Sequence, residues 1–320
     1  MQTSHKYDIS VVVLSFNRID ELRMSLNDHC IGSMENGYEF IVVDNASTDG
    51  SRELLCEYKL DYPHLKVILN QTNLGVSGGR NSGYSIASGV YILSLDEDAH
   101  IKPFCIVKLK EILESLPMVG IISPKILHYI THEQQNPHGN DICEVGNFHG
   151  ACYMFRQSLI AEIGYLDELC SFGGEELDYS IRVRSEGYSI LYTPDVEARH
   201  NNYLRSGRIG NERLEKWIYN FLRIHYKYFP FYQASLFANR YILSYLITCL
   251  RSRNLLVIPN VIIASMKGVR DGLRSRTLIP ISVSDFYRNP LLRPDIGNIP
   301  VWLKIRLKVG SLLGINARLI

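Results

Sequence analysis

Residues 40–60 read FIVVDNASTDGSRELLCEYKL. An apolar, largely β-branched run, Phe40–Val43, passes straight into a polar turn from Asp44 to Gly50 and then into a segment of helical character, Ser51–Leu60. A short apolar run bounded by turn residues reads as a buried strand, and the helix behind it makes half of a βαβ unit. The same order recurs on both sides. Apolar runs stand at Ile9–Leu14, Leu65–Leu69, Tyr91–Leu95 and Val119–Ile122, with helical segments at Ile19–His29, Ser77–Ser88 and Pro103–Leu116. The pattern predicts an α/β fold around a mostly parallel, Rossmann-like sheet flanked by helices. Ligands of such sheets bind beyond the carboxyl ends of the strands, so the residues after each run are where chemistry is expected.

The chain has 320 residues, 46% hydrophobic and 21% charged, the composition of an ordinary globular protein rather than a disordered or collagen-like one. Seven scattered cysteines without a CxxC pair point away from a disulfide framework or a zinc site and toward a reducing compartment. The apolar run near the N-terminus is too short for a signal peptide. The net charge of +1 conceals a split: residues 1–200 carry 15 basic and 28 acidic side chains, and residues 201–320 carry 19 and 5. The basic part should face something anionic. It lacks zinc-finger spacing and RNP-type motifs, so a membrane surface is expected in preference to nucleic acid.

Polar and acidic residues follow four of the apolar runs: Ser15, Asn17 and Arg18; Asp44; the stretch Asn70–Arg80; and Asp96-Glu97-Asp98. Three adjacent acids repel one another unless a cation or solvent compensates, and two carboxylates one residue apart can share a hard cation that also grips a diphosphate. Asp44 is suited equally to a base N–H or ribose hydroxyl and to an Asx turn. Asn73 and Gly75 belong to a glycine-rich strand-to-helix junction that is neither GxGxxG nor a P-loop, and Arg80 within it can reach a phosphate. Glu175 and Glu176 follow Phe172-Gly173-Gly174 and open a helix, where acids serve the dipole or act as a general base. Asp178 and Arg182 have the spacing of a local ion pair. His200 follows a strand read at Ser189–Tyr192 and can offer an imidazole to a metal, a reading that rests on the acids. Residues 126–145, with His128, His132 and His138, read as a polar loop.

Together these segments resemble the family 2 glycosyltransferases, an inverting group with a GT-A fold. The likeness is carried by Val11–Arg18, by Val42–Ser51, by Asn73-Leu74-Gly75 with Gly79–Gly83, by Asp96-Glu97-Asp98 at the DxD position, and by Ile163–Glu168 followed by Glu175-Glu176-Leu177-Asp178. It covers roughly residues 8–205; Tyr226–Pro230 and Gly268–Gly272 resemble, less specifically, the rhamnosyltransferase-like branch. The resemblance implies a metal-dependent, inverting transfer from a UDP- or dTDP-sugar to a hydroxyl of a glycan or lipid-linked glycan, in cell-surface polysaccharide assembly. Asp98, His200 and Asp96 would hold Mg²⁺ or Mn²⁺. Ser15, Asn17, Arg18, Asp44, Asn73, Gly75, Arg80 and Asp96 would line the donor, and Glu176 would be the base. The family's ED motif reads Glu-Glu here, which leaves Glu175 as the alternative base. Two other classes compete. A DxD phosphohydrolase leaves Asp44, the glycine loop and Glu176 without a role, and a non-catalytic sugar-nucleotide-binding module does not require the acids, all of which are present.

The division expected is a catalytic domain over residues 1–213 and a helical, basic, membrane-proximal region over 214–320. Residues 231–250 are long enough to span a bilayer, but Arg240 lies at their centre. Gln233, Arg240, Ser244 and Arg251 form one polar stripe, the pattern of an interfacial helix or one packed on protein. Val301–Lys308 interleaves apolar residues with cations around Trp302. The expectation is a cytoplasmic protein held peripherally on the inner membrane face.

Overall fold

The structure, a computed structural model, describes residues 6–136, 138–201, 211–251 and 255–288. The basic segment Val301–Lys308 lies outside the described residues. The first half alternates strand and helix as its apolar runs require: β1 (Tyr7–Ser15), α1 (Ile19–Glu35), β2 (Glu39–Asp44), α2 (Ser51–Asp61), β3 (Lys66–Leu69), α3 (Gly75–Tyr84) and β4 (Gly89–Asp96). Then follow β5 (Ala99–Ile101), α4 (Pro103–Ser115), β6 (Val119–His128), β7 (Cys143–Glu144), β8 (Cys152–Arg156), α5 (Ser158–Ile163), α6 (Glu175–Ser185) and β9 (Ser189–His200). One sheet runs in the order β3-β2-β1-β4-β8-β6-β9-β5, with β7 on β9. Strands β1 to β4 pair in parallel, β8 is antiparallel to both its neighbours, and β6 and β9 are again parallel.

Burial follows the alternation. Val11 and Val13 join the core shared with α1, α2 and α4, while Val12 and Ile41 enter the core on the opposite side, with Tyr153 and Tyr179. Both faces of the central strands are therefore apolar, which is why they read as unbroken hydrophobic runs.

Two strands reach further than their apolar runs indicate, and a third lies within the polar stretch. β6 continues to His128 and β7 forms within the supposed loop. β9 continues past Pro194 to His200, alternating buried Val196, Ala198 and His200 with exposed Glu197 and Arg199. Beyond it lie α7 (Asn211–Tyr228), α8 (Phe231–Arg251), α9 (Ile258–Arg274) and α10 (Ile281–Arg288). These helices bury a third core that also takes in Cys170, Leu177 and Ile181, so the helical extension is packed onto α6. No helix among the described residues is long and apolar enough to cross a membrane.

Candidate active site

Strand register assembles the acidic cluster. β1 sets Ser15 beside Asp44 and Leu14 beside Asp96, so three strand ends finish level. The chain then turns through Glu97-Asp98 into β5, whose antiparallel pairing places Ala99 opposite His200. Asn201 N–H donates to the Asp98 carbonyl at 2.9 Å, closing that register. Residues about a hundred positions apart are brought together in this way: one donor atom from each of Asp96, Asp98 and His200 lies within 4.8 Å of the others. Two carboxylates and an imidazole suit Mg²⁺ or Mn²⁺. His200 Nε2 is 3.2 Å from Asp98 Oδ1, and its Nδ1 is 2.7 Å from Gln135 Oε1. A ring whose far nitrogen donates to a fixed amide oxygen is held in one tautomer with Nε2 aimed into the cluster.

The charges here are tightly balanced. Burial pushes the Asp98 carboxyl up, but the hydrogen bond and charge of His200, with the Arg18 guanidinium, outweigh it and hold it below the usual range. Burial opposes the charged form of His200 as well, and Asp98 outweighs it in raising the ring above its ordinary value. Glu97, largely buried between Asp96 and Asp98, is pushed well up, first by burial and then by its two neighbours. His149 sits next to the cluster, its ring 5.9 Å from that of His200, and is driven down to about 3, chiefly by burial.

The residues expected along the donor fall into two groups. Ser15 and Asp44 lie at the carboxyl edge, both buried, with Ser15 Oγ and Asp44 Oδ1 lacking hydrogen-bond partners. Asp44 Oδ2 accepts from Ser47 N–H at 3.1 Å and pairs with Arg52 at 3.3 Å, so one oxygen makes the Asx turn and the other is left over. A buried carboxylate oxygen without a donor suits a base N–H or a ribose hydroxyl. Arg18 pairs with Asp98 and lies 3.5 Å from Glu97. The second group shapes loops. Asn17, at φ 53°, accepts from Thr48 N–H, and its own N–H donates to Ser47 Oγ. Asn73 Oδ1 accepts from Gly75 N–H at 2.8 Å and from Asn45 Nδ2 at 3.0 Å, while Gly75 opens α3 against the backbone of Ser171.

Arg80, expected to reach outward to a phosphate, is turned inward and is 2% exposed. Its Nη2 donates to Asp96 Oδ1 at 2.7 Å and to the Gly150 carbonyl at 2.8 Å, and its Nη1 is 3.7 Å from Glu175 Oε1. One guanidinium thus ties the strand-end acids to the acid pair of α6. Glu176 approaches the same place: a methyl group on Gly150 would lie 2.5 Å from Glu176 Oε1. Burial, then the charge of Glu176, pushes Glu175 up to about 8 against the pull of Arg80, and burial likewise raises Glu176. The α6 N-terminus partly compensates both acids. Glu175 is the more enclosed of the two, and Glu176 retains partial exposure.

The helical extension holds this acid pair in place. Gly173 and Gly174, at φ 74° and 94°, bring the chain into α6 through the left-handed region. Asn220 of α7 donates to the carbonyls of Phe172 and Gly173 at 3.2 and 2.7 Å, and the Trp217 ring lies on Gly173. Buried Arg223 donates to Asp167 at 2.8 Å, and Asp178 accepts from Tyr228 and pairs with Arg182, both at 2.9 Å. The Asp178–Arg182 pair is the local one that the sequence spacing indicates. Gln135, His149 and Asn220 escaped the sequence reading, since each acts through a partner distant in the chain. Of the loop histidines, His128 Nδ1 accepts from Ile130 and Thr131 N–H within a turn, and His138 packs on Tyr192, so neither joins the cluster.

Comparison with known proteins agrees with this geometry. Residues 10–165 match the family described as Glycosyl transferase family 2. The low-salt glycan biosynthesis hexosyltransferase Agl10 of Haloferax volcanii is 27% identical over 217 residues, covering 61% of this chain and 67% of that protein. The cholesterol galactosyltransferase of Borreliella burgdorferi is 34% identical over 98 residues, 31% of this chain and 27% of that one. The matched segment therefore spans as little as about a quarter of a relative's length. Among solved structures, mannosyltransferase PcManGT from Pyrobaculum calidifontis, in complex with GDP-Man and Mn²⁺, superposes with a TM-score of 0.55 at 17% identity, covering 82% of this chain and 74% of that one. GalNAc-T7, solved with UDP, GalNAc and Mn²⁺, gives 0.60 at 16% identity over 89% and 58%. The fold is GT-A, and residues 10–165 match glycosyl transferase family 2, with Asp96 and Asp98 in a DxD-like motif.

Proposed function

We propose that this glycosyltransferase moves a sugar from a nucleotide-diphosphate donor to a hydroxyl of a glycan or lipid-linked glycan, with inversion at the anomeric carbon. The supporting observation is the convergence of Asp96, Asp98 and His200 within 4.8 Å at the sheet's carboxyl edge, joined through Arg80 and Gly150 to the acid pair Glu175 and Glu176. Asp98, His200 and Asp96 are the residues that would hold Mg²⁺ or Mn²⁺, which when bound supplies positive charge for the departing diphosphate. Ser15 and Asp44 hold the nucleoside through their unpaired buried oxygens. Glu176 takes the proton of the acceptor hydroxyl as that oxygen bonds to the anomeric carbon. The bond from that carbon to the diphosphate oxygen breaks, and the nucleoside diphosphate leaves with its electron pair. Glu175, enclosed beside Arg80, positions the base. The glycan biosynthesis named for the Haloferax relative supports a glycan acceptor, and the basic C-terminal third supports a place for this work at the inner face of a membrane.

The test is thermal unfolding with UDP- and dTDP-sugars, with and without Mn²⁺, since a ligand specific for the native state raises the midpoint by mass action. One donor class should stabilise the wild-type protein only when Mn²⁺ is present, and Asp98→Ala should remove that response while remaining folded. Metal-independent stabilisation, or full transfer in EDTA, contradicts the proposal.

A further inference from the structure

α8 carries two apolar faces: Ala234, Phe237, Ala238 and Cys249 are buried against the helical core. Gln233 is buried, and its amide exchanges hydrogen bonds with Ser284 of α10, accepting from Oγ at 2.7 Å and donating to the carbonyl at 3.2 Å. Across the helix from the buried apolar face lie Leu236, Leu243, Ile247 and Leu250, at steps of 7, 4 and 3, which form one helical stripe, and these are 60, 59, 39 and 58% exposed. The pattern repeats nearby. Leu256 of the turn before α9 is 91% exposed, and on α9 Ile262, Met266 and Leu273 form an outward apolar row beside exposed Lys267, Arg270 and Arg274. Scattered exposed leucines are ordinary, but a helix-long stripe with a second row alongside marks a contact surface.

Charge decides the occupant. Residues 216–270 contain eight lysines and arginines and no aspartate or glutamate. Arg240 sits within the α8 stripe, and Lys267 and Arg274 flank that of α9. A second copy would bring cation against cation. The chain's own segment 289–320 is also basic, with Arg293, Lys304, Arg306, Lys308 and Arg318 against the single acid Asp295. On α8 and α9 the one acid is Asp271, paired with Arg270 at 2.8 Å, and an apolar stripe edged by the remaining cations matches an anionic lipid surface, where leucines enter the acyl boundary and cations meet phosphates. We propose that the outward faces of α8 and α9 seat on an anionic bilayer. This rests on the membrane placement proposed above and names the surface that makes it. α7, which clamps Phe172 and Gly173, packs against both α8 and α9, so the docked helices support the loop that leads into α6 and Glu176.

The test is co-sedimentation of the full 320-residue chain with vesicles of phosphatidylcholine alone or with 30% phosphatidylglycerol, as a function of salt. The wild-type protein should bind only the anionic vesicles, more weakly as salt rises. Leu236→Ser/Leu243→Ser/Ile247→Ser should lower binding by more than about tenfold with an unchanged unfolding midpoint, because these side chains face outward. Arg240→Glu with Lys267→Glu should lower it by roughly fivefold or more per site. A wild-type protein that ignores anionic vesicles overturns both the membrane placement and this surface. Binding that survives both variants overturns this surface and leaves the placement standing. A wild-type dimer in solution that the triple variant dissociates assigns the stripe to a second copy and overturns the lipid reading.

Discussion

Gln135 Oε1 lies 2.7 Å from His200 Nδ1, and Gln135 Nε2 donates back to the His200 carbonyl at 3.2 Å. The amide thus grips both the ring and the backbone of the histidine that faces Asp98. Such outer partners fix the tautomer of a ligating imidazole, and their loss typically costs ~10–100-fold in metal affinity. Gln135→Ala is expected to weaken Mn²⁺ binding, measured by calorimetry, by about that factor, with Gln135→Glu restoring much of it. Unchanged affinity in Gln135→Ala would remove His200 from the metal site.

The enclosure of Glu175 predicts a pH dependence of stability. Its carboxyl titrates near 8 in the folded protein, raised by burial and by Glu176 against Arg80, with Asp96 adding to the rise. In the unfolded chain it titrates near the ordinary ~4.3. Between these values the native state holds a proton that the unfolded state releases, so this group's contribution falls as pH rises and is lowest above 8. In metal-free buffer, Glu175→Gln is therefore expected to raise the unfolding midpoint more at pH 8.5 than at pH 5. An equal effect at both values would show that Glu175 is ionised throughout.

Two glycines separate stability from catalysis. A methyl group on Gly150 would meet the flexible end of Glu176, 2.5 Å from Oε1. Gly150→Ala should leave stability within about 1 kcal/mol, because the carboxylate can swing away, yet lower turnover by ~10²-fold through its displacement. A methyl group on Gly173 would lie 2.0 Å from two atoms of the rigid Trp217 ring, at φ 74°. Gly173→Ala should cost several kcal/mol in denaturant unfolding, in part relieved by Trp217→Ala. Equal losses of stability in the two alanine variants would contradict the placement of Glu176.

The parallel strands and the acids at their ends were legible because strands buried on both faces read as continuous apolar runs. The end of β9 was not. Pro194 and Asp195 break the run, and the alternation from Val196 to His200 that follows belongs to a strand paired with β5 and β6. The short β5, three residues between acids and α4, has too little sequence to announce itself, although it fixes His200 against Asp98. Gln135 and Asn220 gain meaning only from partners 65 and 47 residues away. The inward face of α8 could not be told from its outward leucine stripe by hydrophobicity, because both are apolar, Ala234, Phe237, Ala238 and Cys249 facing the core, and buried Gln233 is satisfied only by Ser284 of distant α10.

The most direct test of the account compares Glu176→Gln and Glu175→Gln in single-turnover transfer with the donor that stabilises the wild-type protein, alongside calorimetry of donor and Mn²⁺ binding. Glutamine keeps the shape of the side chain but cannot take the acceptor's proton. Glu176→Gln is expected to slow transfer by ~10²–10⁴ with donor and metal affinities little changed, and Glu175→Gln to have a smaller effect. A Glu176→Gln enzyme that transfers at the wild-type rate while Glu175→Gln is inert would contradict this and move the base one residue along α6.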